Sequence, residues 1–428
     1  MVRDLHRVNG RRTCVTVSSM PSAAAALGKG LRGRLTVPRR TFVVTVPMLA
    51  VALTALLLHT HGYHIDLEVY RLGVDTWLAA GDMYGPLPPT VSGLALPFIY
   101  PVFAAMVLTP LALVPWAVAW IALFAVSFAS LAVTLYVVAL RCWPAGGRGG
   151  ALAAASLGLP LALWIEPVLE TFEFGQVNLV LMALVAVDCL AVRTRWPRGL
   201  LVGLAAAVKL TPAAFVLFFL LRRDYKAAAV TAVTAAAATG LGFLVDPASS
   251  ARYWFGGPAS GVSGSLFYTN ETVQAVLARM GVAGFALTAI WALASLVLLA
   301  LVVPVVRRGD APLALVTVAA FALLVSPTSW SHHWVWIAPA LVVTVAHALR
   351  DRSVGWAGVS AVLVVAFYVA PFRFLPHDEG REAHWNGWEQ VAGATYVIVA
   401  VVLLAVGWWQ YGPGRERRLA AAAPAAGA

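Results

Sequence analysis

Val43-Val-Thr-Val-Pro-Met-Leu-Ala-Val-Ala-Leu-Thr-Ala-Leu-Leu-Leu-His-Thr60 runs for 18 residues without a carboxylate, lysine or arginine. A helix rises about 1.5 Å per residue, so about 20 apolar residues cross the hydrocarbon core of a bilayer. Similar blocks recur as far as Trp408. Of the 428 residues, 61% are hydrophobic and 11% charged, too few charges for the polar surface of a soluble chain. Pro and Gly inside several blocks are better tolerated in lipid than in water. The expected fold class is all-α: a polytopic membrane bundle of about twelve helices with a long first outer loop.

The net charge of +11 is unevenly spread. With the N-terminus taken as cytoplasmic, only Arg71, Lys209, Arg252, Arg279, Arg373 and Arg381 fall in outer loops, leaving 24 of the 30 basic residues inside. Acidic residues are reversed, with thirteen of 19 outside. This positive-inside bias sets the expected orientation, both termini cytoplasmic in a multi-pass plasma-membrane protein. No basic face with interleaved aromatics is left to read a nucleic acid. Residues 1–40 read as a disordered basic cytoplasmic tail without a signal-peptide cleavage site, 41–410 as one transmembrane domain, and 411–428 as a cytoplasmic C-terminal tail. Cys14, Cys142 and Cys189 are scattered, with neither a disulfide framework nor a zinc spacing.

Four outer-face segments carry residues suited to chemistry. The first outer loop, 61–97, contains Asp66, Glu68, Tyr70 and Arg71; each on its own is explained by solvation at the membrane boundary. The second contains Glu166, Gln176 and Asn178. Amides opening a returning helix suit a polyhydroxylated or anionic ligand, or simple capping, which leaves Glu166 unexplained. The third is Lys209-Leu-Thr-Pro212, in a proline-broken pair over 199–221. An ammonium at membrane depth costs several kcal/mol unless paired or wetted, so either it meets an anion such as phosphate or it snorkels to the interface. The fourth is Ser326-Pro-Thr-Ser-Trp330-Ser-His332-His333-Trp334. Adjacent histidines on a helix point about 100° apart and share a metal poorly, so donation to a phosphate or sugar hydroxyl fits better. Trp330 and Asn270 complete the substrate-facing candidates, with no metal and no cofactor assigned. Asn270-Glu271-Thr272 also has the form of a glycosylation sequon.

Taken together, Ile65-Asp-Leu-Glu-Val-Tyr70, Leu96-Pro-Phe-Ile-Tyr-Pro101, Trp164-Ile-Glu-Pro167, Phe174-Gly-Gln-Val-Asn178, Lys209-Leu-Thr-Pro212 and the Ser326–Trp334 stretch resemble the actinobacterial polyprenyl-phosphate-mannose-dependent α-(1→2)-mannosyltransferases, glycosyltransferase family 87, over roughly residues 41–410. Arg195–Gly199 and Phe218–Asp224 look nearer to the lipomannan and lipoarabinomannan branching enzymes than to the phosphatidylinositol-mannoside enzymes. One departure is Asn270-Glu-Thr272, where related sequences tend to carry Asn-Gln-Ser. The resemblance implies a GT-C fold, a lipid-linked mannose donor, a mannosylated glycolipid acceptor, a periplasmic site, and Asp66 as general base. Lys209 with His332 or His333 would then stabilise the departing phosphate. A transfer from another lipid-linked sugar such as arabinofuranose, or a lipid-sugar flippase, shares the same architecture.

Overall fold

The computed structural model describes residues 39–60, 63–257 and 265–414. Residues 1–38 of the expected N-terminal tail and 415–428 of the C-terminal one lie outside the described residues, as does Cys14. The described part is mostly helical, and its β-pairing among the described residues is an isolated bridge between Asn270 and Trp330.

Among the described residues, six helices are long and apolar enough to cross a membrane, and up to eight spans result if two bent pairs each count as one. The long ones include α1 (Arg39–His59), α4 (Trp116–Cys142), α10 (Tyr225–Val245) and α13 (Gly284–Arg308). Their side chains are largely uncovered by protein, as lipid-facing helices require. α14 (Ala311–Val325) is shorter, yet Ala311 through Leu324 are all buried. A helix apolar on every side belongs at the centre of the protein, and α14 packs there against α13, α15 (Ile337–Arg350) and α18 (Thr395–Tyr411).

Two stretches expected as loops are helices. Residues 65–78 form α2 (Ile65–Leu78), whose buried Leu67, Tyr70 and Val74 make one stripe. Residues 166–174 form α6 (Glu166–Phe174), bent by 71° from the apolar helix before it. In both, charges drew the reading towards loops, although the apolar spacing is helical. Pro167 sits in the first turn of α6, where its missing N–H is harmless, and Gly175 ends the helix in the left-handed conformation.

Gly175 is also where α6 meets α2. At φ +70°, an added Cβ would lie 2.9 Å from Leu67 Cβ and 3.1 Å from that of His64. Gly175→Ala is therefore expected to cost about 2 kcal/mol or more, read as a lower thermal unfolding temperature in detergent. An unchanged unfolding temperature would contradict this close approach.

The expected break of 199–221 is present. α8 (Leu200–Val208) stops at Lys209, a 3₁₀ turn covers Thr211–Phe215, and α9 (Val216–Leu221) continues. The start of α8 is held by Asp188 of α7 (Asn178–Leu190), a fully buried carboxylate that accepts from the backbone N–H groups of Gly199 and Val202 and from the Trp196 indole.

Candidate active site

A cavity of about 950 Å³ opens among α2, α6, the 209–215 break and the 326–333 segment. Asp66, Glu166, Gln176, Lys209, Trp330, His332 and His333 line it, so residues spread over nearly 270 positions of sequence share one space.

Asp66 is in the first turn of α2. Glu68 and Arg71 do not line the cavity; they fasten the helix that carries Asp66. The Glu68 carboxylate accepts from Val91 N at 3.0 Å. Arg71 donates to the carbonyls of Leu111 and Val114 at 2.6 and 2.7 Å and lies over Trp116. Tyr70 is likewise behind the wall, its hydroxyl donating to Gln176 Oε1 at 2.7 Å and standing 3.2 Å from that of Tyr100. Burial pushes the Asp66 carboxyl up to about 6, opposed by a Gln176 hydrogen bond and the Lys209 charge.

Lys209 occupies the C-terminal end of α8, where the helix dipole favours a cation. Its Nζ donates to Asn178 Oδ1 at 3.0 Å, stands 3.0 Å from His333 Nε2, and lies over the Tyr100 ring. Burial pulls the ammonium down to about 8, against the opposing effect of Asp66. Asn178 opens α7 without capping it: its Nδ2 donates to the His332 carbonyl at 3.0 Å, as Thr171 Oγ1 does at 3.1 Å. Both histidines are in a 3₁₀ turn, Ser331–Trp336, with rings nearly perpendicular at 4.7 Å.

Glu166 Oε2 accepts from the Tyr396 hydroxyl at 2.7 Å. Asn270 is behind the cavity wall: its side chain donates to the Ser265 carbonyl and accepts from Ser329 N, pinning 265–272 to 326–331. Its neighbour Glu271 is fully buried, and burial pushes its carboxyl up to about 8.

The candidate site set read from the sequence left out Tyr100, Glu170, Glu173 and Arg373, which also line the cavity. Glu170 and Glu173 follow Glu166 by four and seven residues, a helical spacing that reading α6 as a helix would have grouped. Arg373 was already one of the six basic residues expected on the outer face.

Residues 98–327 match the family model described as glycosyltransferase family 87. A protein of Mycolicibacterium smegmatis named polyprenol-phosphate-mannose-dependent alpha-(1-2)-phosphatidylinositol mannoside mannosyltransferase is 41% identical over 369 residues, 80% of this chain and 83% of that protein. The chain belongs to glycosyltransferase family 87. A Mycobacterium tuberculosis protein of the same name is 38% identical, over 80% of this chain and 84% of its own. A second from that species, named for the phosphatidylinositol pentamannoside reaction, is 31% identical, over 92% and 91%. These family 87 relatives carry phosphatidylinositol mannoside names, not the lipoglycan ones towards which 195–199 and 218–224 pointed. No solved structure matches the chain. The family match takes in Glu166, Gln176, Asn178 and Lys209, whereas Asp66 and the two histidines fall outside its limits and line the same cavity.

Proposed function

We propose that this chain is an inverting α-1,2-mannosyltransferase that moves mannose from polyprenyl-phosphate-mannose to a 2-hydroxyl of a phosphatidylinositol mannoside or a related mannosylated lipid. The observation that carries the reading is a carboxylate and an ammonium in one cavity, Asp66 and Lys209, in a family 87 chain. Asp66 accepts the proton of the acceptor 2-hydroxyl as general base. The hydroxyl oxygen bonds to the anomeric carbon as the bond from that carbon to the phosphate oxygen breaks, turning a β-linked donor into an α product. The polyprenyl phosphate departs with the electron pair, and its growing charge is met by Lys209 and the imidazoles of His332 and His333. Glu166, Gln176 and Trp330 contact the sugars. Glu68, Tyr70, Arg71, Asn178 and Asn270 act from behind, holding these groups in place.

The positive-inside bias supports a cavity on the periplasmic side with both termini in the cytoplasm. We read the bundle as of the GT-C type with about twelve membrane segments, four of them shorter apolar helices that enter the membrane without the length to cross it alone. The test is transfer of labelled mannose by the purified chain to a panel of short α-mannosides and mannosylated lipids, followed by linkage analysis. A product lacking 1,2 linkages, or movement of the lipid-sugar across the bilayer without product, would overturn the assignment.

The rate should also follow a bell in pH. The base works as a carboxylate, so activity falls as pH drops through about 6, and the cation works as an ammonium, so activity falls as pH rises through about 8. A profile flat from pH 5 to 9 would count against both roles.

A further inference from the structure

α6 turns three carboxylates to the cavity, Glu166, Glu170 and Glu173. Glu170 is 7% exposed, and one of its oxygens holds Arg373 Nη1 at 2.9 Å. Arg373 comes from the 3₁₀ turn Pro371–Phe374, more than 200 residues away, and its side chain is still 43% exposed. The loop that supplies Arg373 also fixes an aromatic wall: the Tyr268 ring stacks on His377 with centroids 4.0 Å apart, and Tyr268 N donates to Glu382 Oε1. A further polar group in the wall is unfilled. His332 is 7% exposed, its ring stands edge-on to Phe174 of α6, and its Nε2 has no hydrogen-bond partner among the described residues. A buried polar atom without a partner costs about 1–3 kcal/mol, which an oxygen of a bound substrate, phosphate or hydroxyl, would relieve.

We propose that the Glu170–Arg373 end of the cavity is the subsite for the terminal pyranose of the acceptor, a proposal that rests on the mannosyl-transfer reading above. The carboxylate accepts from ring hydroxyls, the guanidinium donates to them, and Tyr268 and Trp330 offer apolar faces to the C–H side of the ring. A phosphate gains little there, because the Arg373 guanidinium is already engaged by Glu170 at 2.9 Å and the same helix face adds the carboxyl groups of Glu166 and Glu173. A neutral ring that both gives and takes hydrogen bonds uses the pair fully. The acceptor is therefore recognised by its sugar end and not by its phosphoinositide.

The test uses the full chain in detergent with labelled polyprenyl-phosphate-mannose and two acceptors, octyl α-mannoside and a phosphatidylinositol mannoside. The native chain is expected to use both. Glu170→Gln and Arg373→Met are each expected to raise KM for both acceptors about tenfold or more, with donor KM and unfolding temperature unchanged, and Arg373→Lys should recover part of the loss. Unchanged acceptor KM, a donor KM that rises in step, or a native chain that uses only the phosphoinositide acceptor overturns the subsite and leaves the transfer reading standing. If Arg373→Met does not accumulate, Glu170→Gln, which keeps shape and volume, decides alone. Transfer by the native chain to neither acceptor removes the transfer reading, and this subsite with it.

Discussion

Asp66→Asn is expected to accumulate and fold like the native chain while transferring mannose about 10³-fold more slowly. The amide keeps the volume of the carboxyl and can still bond Gln176, but it cannot take a proton from an attacking hydroxyl. Its effect on stability has a definite sign. The folded carboxyl, at about 6, holds its proton more tightly than the ordinary 3.8, so folding loses stability as pH rises through that interval. Above it the ionised group burdens the fold, and a neutral amide removes the burden. The unfolding temperature at pH 7 should hold or rise as activity disappears. Native-like transfer by this variant would end the case for Asp66 as base.

Lys209→Met is expected to slow transfer by about 10²–10³-fold, mostly through handling of the donor. Methionine fills similar space, so the loss reports the charge and its hydrogen bonds. KM for the donor should rise more than KM for the acceptor. Equal changes in the two would place Lys209 away from the phosphate. The variant also leaves Asn178 Oδ1 and His333 Nε2 without the contact they share with the ammonium. Asn178→Ala therefore offers a comparison: it disturbs the placement of Lys209 but keeps the charge, and the milder loss expected separates position from charge.

Much of the fold was legible because lipid imposes a simple rule on composition, and runs such as Val43–Thr60 obey it without ambiguity. α14 was recognised as apolar, but its place at the centre depends on neighbours that surround it from distant parts of the chain. α2 and α6 were missed as helices because a few charged side chains at a boundary outweigh periodicity when residues are weighed singly. Lys209 could be picked out from its depth alone. Its partners could not: Asn178 and His333 are 31 and 124 residues away, and only packing brings them within 3.0 Å. Arg373 was visible as an unusual outer-face cation, but nothing local tied it to Glu170.

The two contacts of Lys209 carry a consequence for direction. An ammonium has three N–H bonds and no lone pair to accept with. One points to Asn178 Oδ1 and a second to His333 Nε2, which must then be the unprotonated nitrogen of a neutral ring. A single N–H is left for whatever anion enters the cavity. That anion is met along one line, set by the two residues that hold the other bonds. Arginine, with its fork of donors, would bring the same charge and lose that aim.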